Sequence, residues 1–195
     1  MGRGQTPSQT VGPFFAYGLA PEQYGYAFRS LAGPVVADED TPGEHVRLVG
    51  RILDGEGAPI PDALVELWQA DGAGRYAHPA DAGGNAAFRG FGRCGTGTDP
   101  QHRFVFHTVK PGVTRAGGAP HVNLAILMRG LLSHVFTRVY FADEATANDA
   151  DPVLRSVPPE RRSTLIAAPE DGSLGVTYRF DIHMQGQHET VFFDA

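Results

Sequence analysis

Cysteine is almost absent from this sequence: Cys94 stands alone among 195 residues. One cysteine excludes an internal disulfide and any zinc site built on thiolates. Its neighbours Arg93 and Gly95 supply no base, so the thiol reads as structural rather than nucleophilic. Long apolar runs are missing too, since no stretch approaches the roughly 20 residues that span a bilayer. The opening Met1-Gly2-Arg3-Gly4-Gln5 is polar and unlike a secretory leader. A soluble, cytoplasmic protein with no membrane partner is the expectation. Positive charge is short as well, with 16 basic against 22 acidic residues and a formal net charge of −6. With no basic block to track phosphates, nucleic acid is not an expected partner. The sequence also lacks an internal repeat, a Gly-rich phosphate loop, a Gly-x-Ser-x-Gly elbow, and any His-x-His or His-Glu-x-x-His pairing.

What is present suits one domain with a real core. Residues 1–43 are rich in Gly, Pro, Ser and Gln and carry aromatics at Phe14, Phe15, Tyr17, Tyr24, Tyr26 and Phe28. They read as an arm rather than a core element, and so many aromatics must cover either their own domain or a partner. From residue 44 to 195 the pattern is that of strands. Val46, Leu48 and Ile52 alternate up to the turn Asp54-Gly55-Glu56-Gly57. Ala63 to Gln69 follow, which suggests two neighbouring antiparallel strands. Residues 77–101 are poor in apolar side chains and read as a long surface loop. Arg103–Val109, His134–Phe141 and Gly175–Met184 read as further strands, and residues 142–168 as short helical turns. Short strands divided by Gly, Pro and Asp turns predict an all-β fold, an antiparallel β-sandwich with an extended N-terminal arm.

The centre of the chain runs Lys110-Pro111-Gly112-Val113-Thr114-Arg115-Ala116-Gly117-Gly118-Ala119-Pro120-His121-Val122-Asn123 and on to Arg129-Gly130. It reads as a turn, a Gly-rich loop and a buried strand. Residues two apart on a strand share a face, so His121 and Asn123 point one way and Val122, Leu124 and Ile126 the other. Asn123 stands where a second histidine would complete a metal pair. Of the eight histidines, His121 is the best placed for a ligand role. Tyr76, past a strand and turn, is either a packing residue or a tyrosinate. Arg129 ends an apolar run, so its charge either grips an anionic ligand or pairs with a carboxylate. Asp62 and Glu66 flank a strand and fit a solvated edge.

Several motifs then fall in order along nearly the whole chain. They include Thr6-Pro7-Ser8-Gln9-Thr10-Val11-Gly12-Pro13, Glu66-Leu67-Trp68-Gln69-Ala70-Asp71 with Gly74 and Tyr76, and Phe91-Gly92-Arg93. His107-Thr108-Val109-Lys110-Pro111-Gly112, Ala119-Pro120-His121-Val122-Asn123, Arg129-Gly130, Thr137–Phe141, Tyr178–Ile182 and Glu189–Asp194 continue the series. In these the sequence resembles the intradiol ring-cleaving dioxygenases. The resemblance implies a β-sandwich, and a heteromer of alpha and beta chains that cleaves a dihydroxybenzoate with O2. In the family's catalytic chains Fe(III) is held by two tyrosinates and two histidines. The matching positions here are Tyr76, Thr114, His121 and Asn123, and an active-site arginine of the family falls on Gly118.

Two of four ligands and that arginine are therefore replaced. Ferric iron balanced by two tyrosinates and hydroxide is poorly matched by one tyrosine and one neutral imidazole. The resemblance thus implies a chain that binds no catalytic iron and keeps a relic site, with Fe(III) carried by the beta chain. It also implies that Gly12, Pro13 and Arg129 line a substrate pocket built on the beta chain, with the arm lying across that partner. Two other readings stay open: a self-sufficient metalloenzyme using His121 with His78, His107 or His183, and a non-enzymatic sandwich module.

Overall fold

The computed structural model describes the chain except residues 1–3, 5, 13, 82–86, 116, 171, 173–174 and 195. Among the described residues nine strands build it: β1 (His45–Leu53), β2 (Leu64–Gln69), β3 (Phe91–Gly95), β4 (Arg103–Val109), β5 (His121–Leu127), β6 (Val135–Phe141), β7 (Ile166–Glu170), β8 (Val176–Arg179) and β9 (Ile182–His183). Three short helices, α1 (Phe15–Leu19), α2 (Ala145–Ala150) and α3 (Pro152–Ser156), lie outside them. The strand path is β3-β2-β5-β6-β7-β8-β1-β4, with β9 added beside β1. It folds over on itself at β7, which pairs with β6 on one side and β8 on the other.

Alternation explains which residues go inside. Leu48 and Ile52 of β1, Phe104 and Phe106 of β4, and Tyr178 of β8 meet Val65, Leu67, Val122, Leu124, Ile126 and Val139 of the facing layer in one core. Each of the larger side chains contributes about 1.5–3 kcal/mol by leaving water. The sandwich is therefore as the alternation predicts, but not purely antiparallel. β1 pairs in parallel with β8 and β9, and β6 with β7. The helical stretch between β6 and β7 is long enough to carry the chain back in the same direction, which a parallel pair requires.

Other sequence expectations change as well: β7 begins inside the stretch 142–168 read as helical turns, and the one strand read at 175–184 is divided into β8 and β9. β1 and β2 are not neighbours: β1 pairs with β4, β8 and β9, whereas β2 pairs with β3 and β5. The turn after β1 leads across to the other sheet, and an alternating pattern shows a strand's buried face but not its partner. The surface loop expected at 77–101 contains β3, whose Gly92, Cys94 and Gly95 are buried. Few apolar letters were visible there because small residues fill the space.

The first forty residues are less separate than an arm. Ala16 and Ala20 pack on Leu64. The Gln23 amide acts as a rung on the free edge of β3, donating to the Gly95 carbonyl at 2.7 Å and accepting from the Gly95 N–H at 2.8 Å. Further on, Arg93 N–H donates to Gly33, His107 N–H to Pro34, and Val36 N–H to His107. The segment therefore stitches the edges β3 and β4 together, and Val36 and Ala37 are buried in the core. Covered edges cannot template further strand pairing.

Candidate functional site

The outward face of the β3-β2-β5-β6 layer carries the chemistry. At one end α1 covers Leu64, and at the other Leu154, Val157 and Leu165 cover Tyr140. Between them lies an apolar hollow of about 400 Å³ lined by Trp68, Phe91, Asn123, Ala125 and Phe136, with Glu66 at its margin. Arg93 pairs with Glu66 at 2.7 Å.

Three of the four positions that match the family's iron ligands gather at the top of this face. His121 and Asn123 stand on β5, and Asn123 is in register with Trp68 of β2. The Trp68 ring stacks on Tyr76 at 5.6 Å with planes only 9° apart. Thr114 sits on the next loop, held against the Tyr76 loop by two glycines. A Cβ on Gly74, whose φ is +79°, would overlap the Val113 carbonyl oxygen, and one on Gly112 would meet the Gly74 nitrogen at 2.7 Å. Gly118 closes a turn onto the Arg115 carbonyl at 3.0 Å.

The donors present do not fit a ferric ion. His121 Nδ1 lies 2.9 Å from the Ala119 carbonyl oxygen. A carbonyl only accepts, so Nδ1 carries the proton and Nε2 the lone pair. Burial holds the His121 pKa below the usual imidazole value, outweighing that hydrogen bond. The imidazole is thus a neutral ligand at best. Asn123 turns its amide nitrogen to the Trp68 carbonyl at 3.4 Å, and Thr114 has no ionisable oxygen. Tyr76 would be the single anionic donor against a triple charge. Among the described residues no group of three His, Cys, Asp or Glu is placed to hold a metal. His107 and His121 lie on outward faces of opposite layers, and His78 is exposed on a loop. His183 stands near His188, 6.1 Å between ring centres, rather than near His121.

A residue that sequence reasoning missed organises this corner. Asp151 is fully buried. Its carboxylate accepts from the N–H groups of Val153 and Leu154 at 2.9 and 2.8 Å, from Ala119 N–H at 3.0 Å and from Tyr140 O–H at 3.1 Å. Burial alone would raise its pKa, but these bonds outweigh it and hold the carboxyl below the ordinary value. Burial likewise pushes the Tyr140 hydroxyl up to about 12. Asp151 caps α3 and at the same time fixes the backbone two residues before His121. The signal was in the sequence: an Asp before a Pro at the first helical position is a helix start.

At the other end of β5, Arg129 begins the turn to β6. Its Nε donates to Asp62 Oδ2. Of the two readings of Arg129, the structure shows its charge paired with a carboxylate, and Asp62 and Glu66 are not a solvated edge: each is half-buried in an ion pair, Asp62 with Arg129 and Glu66 with Arg93. Gly130, φ +93°, donates its N–H to Thr10 Oγ1 at 3.1 Å, which fastens the N-terminal segment to the same turn. Gly12 is exposed two residues further on, and Pro13 lies outside the described residues.

Fold and site together define a class. The Dioxygenase family profile matches residues 30–186, and the chain belongs to the intradiol ring-cleavage dioxygenases. An intradiol ring-cleavage dioxygenase from Tetranychus urticae shares the fold at a TM-score of 0.62 and 17% identity, over 95% of this chain and 98% of that one. More particularly, the sequence is 58% identical over 193 residues to the protocatechuate 3,4-dioxygenase alpha chain of Burkholderia cepacia, covering 98% of both chains. It is also 33% identical over 184 residues to the beta chain of that enzyme from the same organism, covering 87% of this chain and 76% of the other.

Proposed function

We propose that this chain is the alpha subunit of a protocatechuate 3,4-dioxygenase, a cytoplasmic heteromer that cleaves 3,4-dihydroxybenzoate with O2 between the two hydroxyl-bearing carbons. The product is 3-carboxy-cis,cis-muconate. The observation that carries the reading is the contrast between an alpha-type sequence over its full length and a ligand set reduced to Tyr76 and His121. In this reading Fe(III) is carried by the beta chain, and residues 1–43 lie across that partner. The iron supplies activation of the catechol ring, and the alpha chain contributes one wall of the pocket.

The work assigned to this chain is binding and orientation. Arg129 is exposed, its side chain 58% accessible. Its guanidinium can fork onto the substrate carboxylate, the group that separates this substrate from an unsubstituted catechol. Gly12, near Thr10 on the segment fastened to Gly130, is assigned to the same wall, and so, from the resemblance alone, is Pro13. A planar ring held at its carboxylate end presents its hydroxyls to the metal in one orientation, which is the contribution positioning makes to rate.

Co-expression with the cognate beta chain tests the reading. The pair should turn over 3,4-dihydroxybenzoate, and the alpha chain alone should neither do so nor show tyrosinate-to-iron colour. Arg129→Ala in the complex should raise KM for the carboxylated substrate by an amount worth about 1.5–3 kcal/mol, with kcat little changed. Turnover or colour from the isolated chain would overturn the reading. An unchanged KM would remove Arg129 from it.

A further inference from the structure

Arg129 does not fork onto Asp62 as three of the paired arginines fork onto their carboxylates; like Arg93 and Arg179, it uses Nε alone. Arg51 and Arg103 each engage both oxygens of an aspartate through Nε and Nη2. Arg75 turns Nε and Nη2 onto Asp71. Arg129 reaches Asp62 through Nε only. Among the described residues nothing accepts from its Nη1 or Nη2, and the side chain is 58% accessible. Asp62 is the less exposed partner at 23%, seated at the turn before β2. One end of the fork is thus pinned from the protein side and the other is left bare.

We propose that Asp62 is a positioning residue: it fixes Arg129 through Nε so that the paired Nη donors are presented to the substrate carboxylate. The proposal rests on the assignment of Arg129 to the substrate pocket. Two effects of Asp62 oppose each other, and their sizes decide the sign. Its negative charge repels an incoming carboxylate across the width of the guanidinium, worth a factor of about two in affinity at physiological salt. Its hold on Nε removes rotamer freedom that binding must otherwise remove, worth a factor of about two to ten for a long exposed side chain. Over most of that range the pin outweighs the repulsion, with a net factor of up to about five.

The two effects separate by substitution. Asp62→Asn keeps an oxygen acceptor for Nε and discards the charge, and Asp62→Ala discards both. Steady-state kinetics of the alpha–beta complex with 3,4-dihydroxybenzoate should show KM rising about three- to fivefold in Asp62→Ala, and unchanged or slightly lowered in Asp62→Asn. The kcat should stay constant in both. With catechol, which lacks the carboxylate, Asp62→Ala should have no effect, and in an Arg129→Ala background it should have none on either substrate. Asp62→Ala leaving KM unchanged or lowering it, or raising it equally for catechol or in the Arg129→Ala background, overturns the proposal. If Arg129→Ala alone does not raise KM, the assignment of Arg129 fails first, and the proposal falls with it. If Arg129→Ala raises KM and Asp62→Ala does not, the positioning role alone is lost.

Discussion

Asp151 shows how far a single side chain can organise a corner of the fold. Its carboxylate takes four donors, none of them cationic, and still stays ionised because backbone N–H groups and a tyrosine hydroxyl replace the water it has lost. Asp151→Asn should cost about 2–4 kcal/mol, because an amide cannot accept all four bonds and brings buried N–H groups of its own. Urea unfolding of the variant would measure it. Asp151, Asp143 and Asp99 all titrate below their ordinary value near 3.8 when folded, Asp99 at about 2 through its pairing with Arg103. The unfolded chain therefore binds protons first as pH falls. Their stabilisation is complete above about pH 5 and is lost as pH drops through 4 towards 2. Acid unfolding followed by circular dichroism should place the transition in that window, and Asp99→Asn should make its pH dependence shallower.

Among the elements, β1 bears the most constraint. It is paired with β4 along one edge and with β8 and then β9 along the other, and the change from β8 to β9 falls where Phe180 N–H donates to the Val49 carbonyl at 2.9 Å. A Cβ on Gly50 would overlap the Phe180 carbonyl oxygen, so Gly50→Ala should cost about 3 kcal/mol or more, read as a lowered urea midpoint. Lys110 ties the end of β4 to the segment after β6. It bridges Asp143 and Glu144 at 2.6 and 2.7 Å, while Tyr178 O–H of β8 donates to the same Asp143 at 2.8 Å. Burial would lower the Lys110 pKa, but the two carboxylates hold it above the ordinary lysine value. Lys110→Met leaves two partly exposed carboxylates without their cation and should destabilise by about 1–2 kcal/mol, checked in the same way. These features also show what was legible beforehand. Period-two alternation exposed β1, β4, β5 and β6, because burying one face demands it. It did not expose their neighbours, since many pairings satisfy the same alternation. β3 was hidden by its glycines. Tyr76, Thr114, His121 and Asn123 were matched to the family's ligands by motif order alone, whereas the Arg129–Asp62 contact depends on how the turn after β5 meets the loop before β2, which spacing along the chain does not encode.

For the whole molecule, the N-terminal segment matters most. It closes the sandwich edges through residues 23–37 and still leaves Phe14, Tyr26, Phe28 and Leu31 in solvent, with Tyr26 and Phe28 stacked 6.3 Å apart. In the proposed heteromer these side chains meet the beta chain, so Phe14→Ser with Phe28→Ser should weaken alpha–beta association by about tenfold or more. The unfolding midpoint of the alpha chain itself should stay unchanged, as sedimentation and melting of the same preparations would show. No helix among the described residues is long and apolar enough to cross a membrane. In the proposed heteromer this subunit shapes a pocket around iron that its partner holds. The iron content of the co-purified complex, measured against the number of alpha–beta pairs, tests it most directly: one iron per pair is predicted, and two per pair, with iron retained on the separated alpha chain, would contradict it.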